Sequence, residues 1–283
     1  MIRILVMGAN GKTGRCVVDA LSRQTDVLVR CASRRPTSPS QVEFDWALPD
    51  TWRPALEGID ALYLVKPASA EAKPDVRDQV AALLDGPSGV RRIVLLSEID
   101  AGSRDEELDE RRVERLIERS SFEWTILRPH WFMQNFADPS FYLGQLRDEG
   151  SLAVPTGGQG TSFVDTRDVG DVAAAALLDG SHAGMHYTLT GPAAYTWQEA
   201  ISMISSISGR ELSYTDVPLE PYLAGRSIPE AAQKFADHNR AVYDFLRSAA
   251  SSLISEDVEK VLGRPGRTFQ AFVQEIAPVW RLI

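Results

Sequence analysis

The chain has few cysteines and no long apolar run, and each shortage excludes a class of protein. Its 283 residues include only 2 cysteines, Cys16 and Cys31, which cannot build a disulfide framework. Both lie in apolar stretches, so we expect buried thiols in a reducing cytoplasm. No apolar stretch approaches the length of a membrane span, and the chain starts with a strand pattern rather than a signal peptide. We therefore expect no membrane partner.

Basic residues are also scarce relative to acidic ones. Lys and Arg number 30 against 39 Asp and Glu, for a formal net charge of −9 and a pI near 5.1. Such a chain lacks a general attraction for a phosphate backbone, which argues against a nucleic-acid partner. The 4 histidines show no metal-ligand spacing, so we expect no metal site. With 44% hydrophobic residues, the composition is typical of a globular protein.

The best-defined local pattern lies at the N-terminus. An apolar run of strand length, Ile4–Met7, leads into Gly8, Gly11 and Gly14, and an apolar helical pattern follows. A strand, a glycine turn and a helix in this order form a phosphate cradle, because the free N–H groups of the helix start attract anions.

Each glycine has a separate task in such a cradle. Gly8 allows the tight turn, Gly11 lets a pyrophosphate approach the backbone, and Gly14 lets the helix pack closely on the strand. A positive φ would be a second reason for glycine at position 11. The G-x-x-G-x-x-G spacing differs from the commoner G-x-G-x-x-G, and the P-loop frame is absent. An ordinary strand–helix turn is the alternative. The predicted cofactor contacts here are Gly8, Asn10, Gly11, Lys12, Thr13 and Gly14.

A second strand, predicted at Val27–Ser33, ends in Ser33, Arg34 and Arg35. In dinucleotide folds an acid at this position favours NAD, whereas arginine accommodates the 2′-phosphate of NADP. No acid is present, so the sequence favours NADPH over NAD. A solvated basic strand end is the alternative.

Further strands alternate with helices, which predicts an α/β fold with a Rossmann-type, doubly wound parallel sheet. Strands are expected at Val42–Phe44, Ala61–Val65, Arg92–Ser97 and Trp124–Arg128, and helices at Lys73–Leu84 and Asp105–Arg119. Ligands bind beyond the carboxyl ends of such strands. The predicted cofactor contacts at these ends are Asp45, Val65, Lys66, Pro67, Ser97 and Pro129. For Lys66, an ordinary loop lysine is an equal alternative.

The pattern changes after residue 150. We predict a nucleotide-binding domain over 1–150 and a C-terminal lobe over 151–283, with elements at about 161–191 packing back onto the first domain. Asp165 is placed to cap a helix, a strand is expected at His186–Thr190, and helices are marked by Trp197–Ile204, Val242–Leu253 and Thr268–Ile276.

These pieces together resemble the NmrA-like family of atypical short-chain dehydrogenase/reductases, including its type 2 quinone oxidoreductase and azoreductase-like members. The resemblance spans nearly the whole chain. It is carried by GANGKTG at Gly8–Gly14, SRR at Ser33–Arg35, ALEGIDALYLV at Ala55–Val65, RIVLLS at Arg92–Ser97, WTILRPHWFMQNF at Trp124–Phe136, VDTRDVGDVAA at Val164–Ala174 and YTLTGP at Tyr187–Pro192.

The resemblance implies an NAD(P)-binding Rossmann domain, a small C-terminal lobe and a nicotinamide pocket walled by Pro129–Phe136. It also implies a departure, since ordinary members carry a Tyr-x-x-x-Lys pair on the helix after the fifth strand. Here Glu110 and Glu114 take plausible equivalent positions. The charges of this helix are most simply read as a solvated face.

The sequence supports two functions. The first is an NADPH-dependent reductase of a quinone, aromatic ketone or related conjugated molecule, with a role in secondary metabolism as an option. The second is a non-catalytic redox sensor that acts through a protein partner. The oligomeric state stays open, a homodimer being one option. For the reductase, His130 is a candidate proton donor, with local hydrogen bonding as its alternative. The predicted substrate contacts are His130, Trp131, Phe132, Asn135 and Phe136.

Overall fold

The computed structural model describes residues 1–67, 75–86, 89–104, 108–225 and 233–281. The chain divides into two compact units, the first formed by Met1–Pro129 with Arg167–Thr188 and the second by His130–Thr166 with Leu189–Ile283. The first unit gives way to the second after Pro129, and the predicted domain boundary at residue 150 stays a prediction. The assignment of functions to the two units stays a prediction.

Eleven strands are found among the described residues. They are β1 Ile2–Val6, β2 Val27–Ser33, β3 Gln41–Glu43, β4 Ala61–Val65, β5 Arg92–Leu96, β6 Glu123–Pro129, β7 Ser151–Ala153, β8 Gly160–Thr161, β9 Met185–Leu189, β10 Tyr195–Thr196 and β11 Ser213–Thr215.

The same part of the chain contains ten α-helices. They are α1 Lys12–Ser22, α2 Trp52–Leu56, α3 Val76–Leu84, α4 Asp109–Glu118, α5 Thr166–Leu178, α6 Trp197–Ser208, α7 Leu219–Ala224, α8 Gln233–Leu246, α9 Asp257–Leu262 and α10 Phe269–Ile276. None of the described helices is long and apolar enough to cross a membrane.

The first unit is built on a seven-stranded sheet in the order β3-β2-β1-β4-β5-β6-β9. The pairs among β1 to β6 are all parallel, which confirms the predicted doubly wound α/β fold. The central strands are buried almost completely, as expected where helices cover both faces of a parallel sheet. The order reverses between β1 and β4, and ligands bind outside the carboxyl ends of the strands at such a switch point.

Most predicted elements lie within one or two residues of their observed bounds. The predicted starts Lys73 and Asp105 fall outside the described residues. One helix lies earlier in the chain than predicted, since α8 spans Gln233–Leu246 instead of Val242–Leu253, and a 3₁₀ turn over Ala249–Ser252 follows. Leu253, predicted on the buried face of that helix, lies after this turn and is 54% exposed, and its carbonyl accepts a hydrogen bond from Ser162 at 2.6 Å.

The second unit contains an aromatic core. Phe136, Phe163, Trp197 and Phe269 are all buried, with ring centroids of contacting pairs 5.2–5.5 Å apart. Two short sheets, β8 with β10 and β7 with β11, belong to the same unit. The Nε1–H of Trp280 donates to the carbonyl of Phe136 at 2.8 Å, which ties the last described turn to this core.

Candidate functional site

The turn between β1 and α1 leaves a helix start open to a ligand. Gly8 has φ +60°, and its carbonyl accepts the Gly11 N–H at 2.8 Å. Gly11 is the N-cap of α1, no side chain caps this helix, and its first turn contains no acidic residue. The first N–H groups of a helix have no intrahelical acceptors, so this end suits an anion.

The close packing around Gly11 and Gly14 also agrees with a site for an anion. A Cβ at Gly14 would lie 2.1 Å from the carbonyl oxygen of Gly8, so α1 approaches the turn after β1 more closely than any side chain allows. A Cβ at Gly11 would lie 3.1 Å from the same oxygen. Val65 lies beside the turn, its Cγ2 3.7 Å from where a Gly8 Cβ would be. The residues present therefore fit the pyrophosphate of a dinucleotide.

The positive φ suggested for Gly11 was wrong. Gly11 has φ −81° and ψ 177°, which any residue adopts, and the positive φ of this turn is at Gly8. The reason for glycine at position 11 is therefore space and not backbone conformation. Of the other predicted contacts here, Asn10 is exposed, Lys12 is half-buried and Thr13 is buried.

The end of β2 is basic, as the sequence predicts. Arg34 and Arg35 are exposed, and neither guanidinium forms an ion pair with any residue that the structure describes. Ser33 is half-buried, and its Oγ accepts the Arg35 N–H at 3.2 Å. Asp45 follows β3, and its Oδ1 accepts the Ala47 N–H at 2.9 Å, which fixes a local turn. Arg34 and Arg35 thus remain available to a phosphate.

The strands that follow bring polar side chains into one row. Val65 pairs with Leu96, and Leu96 pairs with Leu127. The next residue of each strand, namely Lys66, Ser97 and Arg128, therefore lies in register with the others at the carboxyl edge of the sheet. Pro67 and Pro129 are buried beside this row.

Two carboxylates of α4 hold this row. Glu110 lies 2.8 Å from Lys66 Nζ and 3.0 Å from Arg104. Glu114 accepts from Ser97 Oγ at 2.7 Å and from both Nε and Nη2 of Arg128, at 2.9 and 2.7 Å. Burial alone would lower the pKa of Lys66, but the nearby carboxylates of Glu110, Glu98 and Asp109 together outweigh it and raise the pKa. Lys66 is therefore held as a cation.

The solvated face expected for α4 was wrong at these positions. Glu110 and Glu114 are 2% and 0% exposed. Their charges are tolerated in the interior because arginine and lysine partners from other elements pair with them. Sequence reasoning missed Arg104 and Arg128 altogether, and the one available signal was the position of Arg128 at the end of a predicted strand.

In the second unit, His130 is enclosed by its neighbours. The Trp131 backbone N–H donates to its Nδ1 at 2.6 Å, and its Nε2 lies 2.8 Å from the carbonyl oxygen of Ser251. Because a carbonyl only accepts, Nε2 carries the proton and Nδ1 does not. Burial lowers the pKa of His130 to about 4. These contacts are the local hydrogen bonding that the sequence analysis gave as the alternative for His130. They do not suit a residue that donates a proton to a substrate.

The pKa of His130 leads to a prediction about stability. Above pH 6.5 the imidazole is neutral in both the folded and the unfolded chain. As the pH falls from 6.5 to about 4, the unfolded chain takes up the proton first, so stability is lost. We expect urea denaturation to show a loss of about 3 kcal/mol over this range relative to His130→Gln, which cannot titrate. Equal pH dependence of the two proteins would contradict this.

The remaining predicted substrate contacts separate into two groups. Phe136 is fully buried in the aromatic core, which does not suit substrate contact. Trp131 and Phe132 are half-buried. The Nε1–H of Trp131 and the Oδ1 of the buried Asn135 have no hydrogen-bond partner among the described residues. Buried polar atoms of this kind usually indicate a missing partner, such as water or a ligand.

Comparison with known proteins identifies the family. A family model described as NAD(P)H-binding matches residues 8–180, and the NmrA-like family model matches residues 109–261. The NAD(P)H azoreductase of Xenophilus azovorans is 30% identical over 286 residues, covering 96% of this chain and 96% of its own.

Two further relatives agree. The (4-alkanoyl-5-oxo-2,5-dihydrofuran-3-yl)methyl phosphate reductase of Streptomyces griseus is 30% identical, covering 97% of this chain and 98% of its own. An NADPH-dependent quinone oxidoreductase from Escherichia coli, solved with NADPH, shares the fold with a TM-score of 0.78 at 19% identity, covering 98% of this chain and 99% of its own. The chain therefore belongs to the NmrA-like family and binds NAD(P)H.

Proposed function

We propose that the protein is an NADPH-dependent reductase of a quinone, an aromatic ketone or a related conjugated small molecule. The observation that carries this proposal is the open start of α1 behind Gly8, Gly11 and Gly14, followed by the basic end of β2. Bound NADPH supplies a hydride. The 30% identical relatives named above are both reductases, which supports this reaction class.

Features of the second unit support a flat substrate that carries an oxygen. The half-buried rings of Trp131 and Phe132 offer stacking surface. The unpaired Nε1–H of Trp131 can donate to a substrate carbonyl, and the unpaired Oδ1 of Asn135 can accept from a substrate hydroxyl. We assign substrate contact to these three residues and not to His130 or Phe136.

The available side chains also favour an acceptor that needs little help with protonation. The described part of α4 has no tyrosine. The low pKa of His130 leaves its imidazole neutral at pH 7, and its one N–H is donated to the carbonyl of Ser251. A quinone or extended ketone spreads the incoming negative charge over its π-system, so water can supply the proton. A saturated ketone lacks this stabilisation and is expected to react poorly.

The basic end of β2 leads to a prediction about cofactor choice. Calorimetric titration should give an affinity for NADPH about tenfold or more above that for NADH, because Arg34 and Arg35 can bind the 2′-phosphate. Arg34→Ala should weaken NADPH binding while leaving NADH binding unchanged. Arg53→Ala, which removes an exposed arginine on α2, is the matched control. Equal effects of the two variants on NADPH affinity would mean that Arg34 acts only through its charge and does not bind the 2′-phosphate.

The reaction itself is tested by NADPH oxidation with a panel of quinones, aromatic ketones and saturated ketones. We expect turnover with the first two groups, and a loss of about tenfold in kcat/KM in Asn135→Ala at unchanged NADPH affinity. NADPH binding without any turnover across the panel would contradict the reductase and favour the redox sensor. A role in secondary metabolism stays a prediction.

A further inference from the structure

Two tyrosines of the second unit bring their hydroxyl groups together. Tyr222 on α7 and Tyr243 on α8 have ring centroids 5.2 Å apart, and their hydroxyl oxygens lie 3.0 Å apart. This distance is within the range of an O–H···O hydrogen bond. At the surface, Arg240 pairs with Glu220 through two hydrogen bonds and ties the same two helices together. The two hydroxyls are therefore held in a fixed place.

The two tyrosines differ in their exposure to solvent. Tyr243 is 4% exposed and lies in the same buried cluster as the aromatic core, whereas Tyr222 is half-buried and packs against that cluster. Phenylalanine would fill the same space, as Phe163 and Phe269 do elsewhere in the cluster. The hydroxyls add a hydrogen-bonded path that leads from the solvent side toward the buried side.

The buried end of this path lies beside Trp131. The ring centroids of Tyr243 and Trp131 are 6.4 Å apart, and Trp131 is half-buried. Its Nε1–H has no hydrogen-bond partner among the described residues, and it is the donor that we assign to a substrate carbonyl. A substrate oxygen bound there has the side chain of Tyr243 as its neighbour.

A pair of hydroxyls in this arrangement can carry a proton. Each tyrosine hydroxyl both donates and accepts hydrogen bonds, so it can give up one proton while it takes another. When the carbonyl carbon of a substrate receives the hydride of NADPH, the electron pair of the C=O π bond moves to the oxygen. That oxygen takes the hydroxyl proton of Tyr243, Tyr243 takes the proton of Tyr222, and Tyr222 takes one from water. The substrate gains a hydride and a proton, and hydroxide is left in the solvent.

We propose that Tyr222 and Tyr243 form the proton relay of this reductase, with Tyr243 as the donor to the substrate oxygen and Tyr222 as its link to water. The inference rests on the proposed function, in which water is the source of the proton, and it names the route that the proton takes. The role that the sequence analysis considered for His130 is thereby assigned to a residue of α8 in the same unit.

The test compares two acceptors that differ in their need for a proton. An aromatic ketone keeps more of the incoming negative charge on its oxygen than a quinone does. Tyr243→Phe should therefore lower kcat for the ketone by about a hundredfold, and kcat for the quinone by less than about tenfold. Tyr222→Phe leaves the donor in place but breaks its link to water, so its loss with the ketone should be about tenfold. The affinity of both variants for NADPH, measured by calorimetry, should be unchanged.

Tyr214→Phe is the matched control, because Tyr214 is a half-buried tyrosine of the same unit whose hydroxyl donates to the carbonyl of Val154 instead. It should leave the ratio of the two kcat values unchanged. Circular dichroism reports whether each variant is folded. If Tyr243→Phe is unfolded, the same ratio in Tyr222→Phe decides.

Equal losses with the ketone and the quinone in Tyr243→Phe would indicate a structural role, and no loss with either would mean that its hydroxyl gives no proton. Both results would overturn this inference and leave the proposed function intact, as would a wild type that reduces the quinone but not the ketone. A wild type that reduces neither acceptor would contradict the proposed function, and this inference with it.

Discussion

Gly14→Ala should lower the affinity for NADPH by more than about a hundredfold. The new Cβ would lie 2.1 Å from the oxygen and 2.6 Å from the carbon of the Gly8 carbonyl, and 2.9 Å from Ala9 Cα. All three atoms belong to the backbone, so a side chain cannot simply rotate away. The start of α1 must move from the turn after β1, and the N–H groups proposed to bind the pyrophosphate move with it.

Alanine variants of two further glycines serve as comparisons for Gly14→Ala. Gly11→Ala places a Cβ 3.1 Å from the Gly8 carbonyl oxygen, so we expect an intermediate loss of affinity. Gly144→Ala meets nothing within 4 Å and has helical φ and ψ of −57° and −52°, so binding should be unchanged. Calorimetry measures the affinities, and circular dichroism reports whether each variant is folded. A folded Gly14→Ala protein with normal NADPH affinity would place the cofactor elsewhere.

The elements of the first unit could be predicted because their signals are local. The apolar runs at Val27–Ser33 and Ala61–Val65 match the observed strands residue for residue. The glycine turn is likewise recognisable from spacing alone, since it joins one strand to the helix that follows directly in the sequence. The helix that follows the second of these strands begins at Val76, and its predicted start, Lys73, lies outside the described residues.

The environment of the charged helix could not be predicted in the same way. Helical periodicity separates apolar from polar positions, and it assigns glutamates such as Glu110 and Glu114 to solvent. Their burial depends on partners from other elements, Lys66 after β4 and Arg128 on β6. Pairing over such separations leaves no periodic signal.

The aromatic segment after β6 shows the same limit. Trp131, Phe132 and Phe136 are equivalent as sequence letters, and each could line a pocket or fill a core. Phe136 is in the core because Phe163, Trp197 and Phe269 surround it, and these residues come from distant parts of the chain. The character of His130 likewise depends on the carbonyl of Ser251.

Glu114→Ala should lower the free energy of unfolding by about 3–5 kcal/mol, the usual cost of breaking a buried ion pair from one side. The carboxylate is completely buried and accepts hydrogen bonds from Ser97 and from two nitrogens of Arg128. Its removal leaves the guanidinium of Arg128, whose side chain is 18% exposed, without its carboxylate partner.

Glu220→Ala is the control for this experiment, because it removes a bidentate pair with Arg240 in which both side chains face solvent. We expect little change in stability there. Glu114→Gln keeps an acceptor for Ser97 but loses the charge, so its loss should lie between the other two. Urea denaturation at pH 7 measures all three. A loss below about 1 kcal/mol in Glu114→Ala would be typical of a surface ion pair. It would contradict the burial of Glu114 on α4.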